Sequence, residues 1–439
     1  MNSSSQLTIA TASCAQGTCD LPGSKSISNR ALLLSALCAQ STDLLGLLDA
    51  DDVRYMREAL QTLGVSLQHL ESSDWRVCGA GGAFPNQRAN LFLGNAGTAV
   101  RPLTAVLAML GGDYRLDGVS RMHERPIGDL VDALRMLGAQ IQYLDKEGFL
   151  PLTIGARDKR VQVGNVDIRG DVSSQFLSAL LMALPLLPKT DGIEETSVHL
   201  ITPLISRPYV MMTIHLMARF GVHVAIPDED HLIVPRGVAY QSPGTLVVES
   251  DASSASYFLA AGVLGGGPVR VNGVGKHSIQ GDIAFAGVLR RQGAQVHMGE
   301  HFVEAKRGTP FIGGEIDCVA IPDAAMTLAI TALIAQQPTT LRNIGSWRVK
   351  ETDRIAAMAT ELKKVGAQVE SGEDWLTIFP TKNFHHAAID TYDDHRMAMC
   401  FSLLALLGTG ITINHPECVA KTFPDYFDVF QSLLLRPTS

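Results

Sequence analysis

Charged side chains are scarce in this sequence. Asp, Glu, Lys and Arg make up 18% of its 439 residues, where a typical soluble domain carries about 25%. Long apolar runs are missing too. The longest, residues 176–188 and 397–407, stop short of the ~18 residues that suggest a membrane-spanning helix. Positive charge is not in excess: 36 Lys and Arg face 44 Asp and Glu, a net charge of −8. That balance argues against nucleic-acid or anionic-membrane partners and leaves room only for a local basic pocket that takes a small anion. The seven cysteines are odd in number and scattered, which excludes a disulfide framework. Residues 1–16 carry no basic stretch, no continuous apolar core and no arginine, so neither a signal peptide nor a transit peptide is expected. The expectation is a cytoplasmic protein.

Several chemical signatures are also lacking. Gly23-Ser24-Lys25-Ser26 resembles a fragment of a nucleotide-binding P-loop, but Ser24 separates the glycine from the lysine and the full GxxxxGK[ST] spacing is not met. No GxGxxG follows a strand pattern. There is no HExxH, and the 13 histidines show no ligand spacing, so no metal and no cofactor are expected. His385-His386 reads as a solvated loop, and no GxSxG elbow is present.

What the chain does have is apolar mass, 46% of its residues, enough for several domains with real cores and too much for disorder. It also has a hidden period. An amphipathic helix pattern ending in glycine runs directly into a strand at Gly64, Gly138, Gly221, Gly293 and Gly366. Glycine suits the left-handed residue that closes a helix. A second pattern interleaves with it, in which a small polar turn opens an apolar helix. The turns are residues 23–29, 94–98, 170–175, 250–254, 322–325 and 392–396. Six copies at intervals of roughly 70–80 residues imply a repeat architecture. Each unit reads strand, buried helix, strand, amphipathic helix, glycine, strand.

Three units end near Tyr240, and Gln241-Ser242-Pro243-Gly244 is the best linker in the chain. The expected arrangement is therefore an α/β fold of two lobes. The first comprises residues 24–242, and the second residues 1–23 plus 243–439, with the segment 7–10 filling the strand positions that the sixth unit lacks.

All six apolar helices start with Ser, Thr, Asn, Asp or Gly. Ordinary capping explains any single one. The basic residues beside them need more. Lys25, Arg30, Arg101, Arg125, Lys350, Arg354, Arg396 and Lys421 sit at or near helix starts, where the helix dipole disfavours cations. An anion bound in a cleft between the lobes would compensate them, and arginine forks suit carboxylates and phosphates. Asp323 and Glu351, set among these cations, are the acid–base candidates.

The residues that carry this argument also carry a resemblance. Leu-Pro-Gly-Ser-Lys-Ser (21–26), Ser-Asn-Arg-Ala-Leu (28–32), Leu-Gly-Asn-Ala-Gly-Thr-Ala-Val-Arg-Pro (93–102) and Glu-Arg-Pro-Ile-Gly (124–128) resemble the 5-enolpyruvylshikimate-3-phosphate synthase family. So do Asp-Val-Ser-Ser-Gln-Phe (171–176), Arg-Val-Lys-Glu-Thr-Asp-Arg (348–354), Asp-His-Arg-Met-Ala-Met (394–399) and Lys-Thr-Phe-Pro-Asp-Tyr-Phe (421–427), in order along nearly the whole chain.

The resemblance implies the family's fold, an inside-out α/β barrel of two lobes with three βαβαββ units each, closing over a central cleft. It implies transfer of the enolpyruvyl group of phosphoenolpyruvate to the 5-hydroxyl of shikimate 3-phosphate with release of phosphate, by a monomer without cofactor. By the same resemblance Lys25, Ser26, Arg30, Ser173, Ser174, Ser206 and Lys350 would bind shikimate 3-phosphate, with Gln175 between the two ligands. Asn95, Gly97, Arg125, Arg354, Arg396 and Lys421 would hold phosphoenolpyruvate, which Lys25 also reaches. Asp323 would take the hydroxyl proton. Glu351 and Lys25 are the candidates for protonating the methylene carbon and assisting departure of phosphate.

One position departs from the pattern: Ser346 stands where bacterial members often have an asparagine against the shikimate substrate. Gly97 keeps the small residue that the family associates with inhibition by glyphosate. The sister enzyme acting on UDP-N-acetylglucosamine usually carries a reactive cysteine before its Arg-Pro motif, and residues 111–128 contain none. A non-catalytic anion-binding repeat protein would not need Asp323 and Glu351 alongside the cations.

Overall fold

The computed structural model describes residues 5–190 and 192–435. Residues 1–4 and 436–439, the outer limits of the expected second lobe, lie outside them. The chain divides into two compact units, one spanning Gly23–Val248 and the other running up to Pro22 and again from Glu249.

In the Gly23–Val248 unit, helices alternate between two kinds. α1 (Lys25–Leu37), α3 (Gly97–Leu110) and α5 (Ser174–Ala183) are buried almost throughout. α2 (Asp51–Thr62), α4 (Gly128–Met136) and α6 (Arg207–Arg219) bury one face and expose the other. A helix that is apolar all round must be enclosed, whereas a one-sided stripe covers a core from outside. Among the described residues three small sheets complete the unit. In the middle one, Arg88–Phe92 runs parallel to Asp113–Asp117, which pairs with Leu152–Ile154, which in turn pairs with Ile141–Tyr143. The third joins Asn165–Ile168, Glu195–Leu200 and His231–Pro235.

The first sheet borrows a strand from far along the chain. Thr245, Leu246 and Val247 pair in parallel with Asp43, Leu44 and Leu45. The unit therefore extends to Val248, beyond the boundary expected at residue 242. Residues 241–244 have the composition of a linker, but the strand after them buries Leu246, and Val248 just beyond it is buried as well.

The other unit repeats the scheme. α7 (Ala252–Gly265), α9 (Ala325–Thr331) and α11 (His395–Ser402) have every residue buried. α8 (Phe285–Arg291), α10 (Arg354–Lys364) and α12 (Tyr426–Ser432) alternate with them. Gly17–Asp20 joins the sheet of α7 by pairing in parallel with Val269–Asn272. Gln6–Ile9 pairs antiparallel with Ile411–Asn414, in the sheet that follows α11. Gly64, Gly138, Gly221, Gly293 and Gly366 close the amphipathic helices with φ of 90°, 90°, 81°, 107° and 91°, a region closed to most other residues. Among the described residues no helix is long and apolar enough to cross a membrane.

Candidate functional site

In the Gly23–Val248 unit the expected residues gather at helix starts. Lys25 is the first residue of α1, 8% exposed, with its Nζ 3.3 Å from Asp52 Oδ2. One turn on, Arg30 donates from Nε to Thr213 Oγ1 at 2.7 Å and from Nη1 to the Ser26 carbonyl at 2.9 Å. Burial lowers its pKa to about 10, which still leaves it charged at neutral pH. Asn29 ties α1 to α3 by donating to Thr98 Oγ1 at 2.6 Å. Neither Ser24 nor Ala96, the residues that open α1 and α3, makes a side-chain cap bond. A helix start without such a cap presents its backbone N–H groups to an anion.

Asn95, Gly97 and Arg125 form one constellation. Arg125 Nη1 donates to Asn95 Oδ1 at 2.9 Å and to its carbonyl at 3.1 Å. Gly97 leaves the two guanidinium groups their places here: a Cβ on it would sit 2.7 Å from Arg125 Nη2 and 3.0 Å from Arg101 Nη1, so one of them would have to move. Arg101 is anchored by the Pro126 carbonyl at 2.8 Å. Ser173 caps α5 by accepting from the Gln175 N–H at 3.3 Å, which brings Ser173, Ser174 and Gln175 together. Ser206 opens α6 in the left-handed region with φ 51°.

The other unit holds a denser cluster. Asp323, just before α9, receives Arg354 Nη1 at 3.0 Å, Arg396 Nη2 at 2.9 Å and, at 3.8 Å, Lys350 Nζ. Arg354 opens α10 and is its hub. Its Nε meets Asp394 Oδ2 at 2.7 Å and its Nη2 meets Glu351 Oε2 at 2.8 Å. Lys421 Nζ lies 3.8 Å from Glu351 Oε1. Arg396 also donates from Nη1 to the Tyr257 hydroxyl at 3.0 Å. Ser346 stays outside this network among the described residues. It lies in the 3-10 turn Gly345–Val349, which buried Trp347 pins by donating Nε1 to the Pro322 carbonyl at 2.7 Å, next to Asp323.

Burial alone would discourage ionisation of Asp323. Arg396, Lys350 and Arg354 more than offset it and hold its carboxyl well below the usual range. Asp282 shows the opposite result. It is 4% exposed, and burial together with the charge of Asp323 raises its pKa to about 6. It accepts a hydrogen bond from Ser253 Oγ.

The sequence argument assigned the compensation of all these cations to a bound anion. In this unit the chain supplies most of it: Lys350, Arg354, Arg396 and Lys421 face the carboxylates of Asp323, Glu351 and Asp394. Removing one member of such a buried network costs about 3–5 kcal/mol, because its partner charge is left uncompensated. Asp394, Tyr257, Asp282 and Asp52 were missed by sequence reasoning. Asp394 looked like a simple cap, and it is one, accepting from the Arg396 N–H at 2.9 Å. Its second role with Arg354 has no local signal. Among the described residues no group of three or more His, Cys, Asp or Glu side chains is set to hold a metal ion.

Backbone strain marks the approach to several of these residues. Asn343, Tyr392, Asp393 and His415 have φ of 62°, 53°, 54° and 53°, and they precede Ser346, Arg396 and Lys421. Left-handed non-glycine residues cost of order 1–3 kcal/mol each and persist where surrounding contacts over-determine them. Glu361 of α10 does this for one turn. It accepts from the Tyr392 hydroxyl at 2.7 Å and from the Asp390 N–H at 3.1 Å.

Comparison with known proteins follows the same line. The profile of the EPSP synthase (3-phosphoshikimate 1-carboxyvinyltransferase) family matches residues 9–430. The 3-phosphoshikimate 1-carboxyvinyltransferase of Paraburkholderia phymatum is 58% identical over 426 residues, covering 95% of this chain and 97% of the relative. The protein of that name from Cupriavidus necator is 57% identical over 431 residues, covering 97% and 98%. Among solved structures, EPSP synthase from Acinetobacter baumannii superposes with a TM-score of 0.81 at 26% identity, covering 98% of each chain. The enolpyruvyl transferase NikO from Streptomyces tendae gives 0.73 at 17% identity over 98% and 97%, a likeness of fold.

Proposed function

The chain belongs to the EPSP synthase family, and from that premise we propose how its residues carry out the transfer of the enolpyruvyl group of phosphoenolpyruvate to the 5-hydroxyl of shikimate 3-phosphate. The reaction is a step of aromatic amino acid biosynthesis and releases phosphate. In the addition, the 5-oxygen bonds to C2 of phosphoenolpyruvate while the methylene carbon gains a proton. In the elimination, phosphate leaves C2 and the methyl group gives a proton up again. The enzyme acts in the cytoplasm as a monomer, and glyphosate inhibits it.

The observation that carries the reading is the position of Asp323 between Arg354, Arg396 and Lys350. Asp323 accepts the 5-hydroxyl proton, and Glu351 and Lys25 serve the methylene carbon and the leaving phosphate. Lys25, Ser26, Arg30, Ser173, Ser174, Ser206, Ser346 and Lys350 bind shikimate 3-phosphate, with Gln175 serving both substrates. Asn95, Gly97, Arg125, Arg354, Arg396 and Lys421 bind phosphoenolpyruvate, with help from Lys25.

Electrostatics gives this assignment a sequence of events. While its cations press on it, Asp323 is a poor base, because its pKa is held low. Each substrate phosphate brings about −1.5 to −2 charges and competes for the same guanidinium and ammonium groups. As the cations turn to the substrates, the Asp323 carboxylate loses partners and its pKa rises toward a useful value. The cluster is thereby stable without substrate and activated by it. Once they have turned to the substrates, the cations meet the developing charge without further reorganisation during the step itself.

The test is phosphate release from purified protein given phosphoenolpyruvate and shikimate 3-phosphate, beside a reaction with UDP-N-acetylglucosamine and with EDTA present. Release that requires shikimate 3-phosphate and ignores EDTA is expected. Release with the nucleotide sugar instead, or none with either acceptor, would overturn the assignment.

A further inference from the structure

The Gly23–Val248 unit contains a cavity of about 530 Å³ that the proposed reaction does not use. Its size falls in the range of small-molecule sites, about 300–1,000 Å³. It borders Met109 and Leu110 at the last turn of α3. Gly97, in the reaction site, opens the same 14-residue helix. At 1.5 Å per residue the two ends lie about 21 Å apart, so this is a separate place.

Its lining combines two chemistries. Arg157, Lys159 and Arg236 are basic, and no carboxylate lines the cavity among the described residues. Met109, Val161 and Leu186 supply apolar wall. Arg236 is the strongest observation, being only 4% exposed. It donates from Nε to Thr196 Oγ1 at 2.7 Å and from Nη2 to the Val163 carbonyl. Arg157 donates from Nη1 to the Leu137 carbonyl at 2.9 Å. A guanidinium has five N–H donors, so most of theirs remain for another partner. Asp158 offsets part of the charge of Arg157, while its side-chain hydrogen bonds go to Arg160 at 3.0 and 2.8 Å.

Capping a carbonyl explains the hydrogen bonds but not the charges, since a neutral donor would serve as well. The charge of half-buried Arg157 adds to the cost of burying Arg236. Burial and the neighbouring Arg157 both lower the pKa of Arg236, and burial lowers that of Arg157 against the opposing charge of Asp158. An anion in the cavity would relieve this.

We propose that this cavity is a second binding site, specific for a small organic anion that joins a carboxylate or phosphate head to an apolar body. The head takes the donors of Arg157 and Arg236 with Lys159 at the rim, and the body lies on Met109, Val161 and Leu186.

Methyl-labelled methionine provides a direct readout by NMR, with the Met109 signal identified through Met109→Leu. Benzoate, phenyl phosphate and the neutral isostere benzamide are titrated into the full-length protein. The Met109 methyl should shift saturably with one or both anions and stay in place with benzamide. The tighter of the two anions identifies the head group. Arg157→Gln, which keeps a donor for the Leu137 carbonyl, should weaken binding about tenfold or more. Lys159→Gln, at an exposed position, should weaken it less without touching the fold. Lys25→Met should leave the titration unchanged, which separates this site from the reaction site. A Met109 signal that ignores both anions, or follows benzamide equally, or is indifferent to both Arg157→Gln and Lys159→Gln, would overturn the proposal.

Discussion

Replacing Gly97 by alanine tests the geometry around phosphoenolpyruvate with a single methyl group. Nothing in the backbone opposes the change, because Gly97 lies inside the first turn of α3 and alanine favours a helix over glycine by about 0.8–1 kcal/mol. The cost falls on Arg125. The new Cβ would stand 2.7 Å from its Nη2, while ordinary contact begins at 3.4 Å, so the guanidinium must retreat by about 0.7 Å. Arg101 Nη1, at 3.0 Å, blocks part of the way. That movement strains the Arg125 bonds to Asn95 at 2.9 and 3.1 Å and misaligns the fork from its ligand. Losing one hydrogen bond to a charged group costs about 1.5–3 kcal/mol, which corresponds to a rise of about 10–100-fold in the KM for phosphoenolpyruvate. Glyphosate inhibition should weaken at the same time, while thermal stability holds or rises slightly. Steady-state kinetics and a melting curve check both halves. A KM within twofold of the parent, with unchanged inhibition, would show that Gly97 does not border the phosphoenolpyruvate site.

Asp323→Asn keeps the shape and one acceptor for Arg354 and Arg396 but cannot accept a proton. Turnover should fall about 10²–10⁴-fold with shikimate 3-phosphate affinity little changed, and calorimetry beside kinetics would expose the error if turnover persists. Asp282 gives a pH dependence. Its folded pKa of about 6 exceeds the ordinary 3.8, so the native state binds a proton that the unfolded chain lacks between those values. Its contribution to stability therefore rises as pH falls through 6 and is complete below about 4. At pH 8 the buried charge costs on the order of 2–3 kcal/mol. Asp282→Asn should stabilise the protein at pH 8 in urea titrations and flatten the slope between about pH 4 and 6. A less stable variant at pH 8 would refute the account. Tyr392→Phe removes the 2.7 Å bond to Glu361 that steadies the strained turn before Arg396. The KM for phosphoenolpyruvate should rise several-fold, and a lower Tm with unchanged KM would reduce that contact to a structural one.

Much of this protein is local and was therefore legible. The glycines that end the amphipathic helices needed only the helix period and the left-handed cap conformation. The six apolar helices announced their burial by apolar runs that go all the way round, beyond the polar residues of their first turns. The cations at helix starts could be found because they break a local electrostatic preference, and breaking such a rule is itself a signal.

Tertiary structure decided the rest, because those relationships join residues far apart in the chain. No pattern near residue 245 reveals that Thr245–Val247 will pair with Asp43, Leu44 and Leu45, whereas the strand positions missing from the sixth unit did point to the segment 7–10, and Gln6–Ile9 lies beside Ile411–Asn414. Strand pairing depends on which edges the packed helices leave open. The same holds for charge. Sequence marks Asp394 as a cap, but only folding brings its carboxylate to Arg354 Nε at 2.7 Å and leaves Asp282 buried within the field of Asp323. Residue type determines what a group can do, and the dielectric and the neighbours created by packing determine its charge state and its partners.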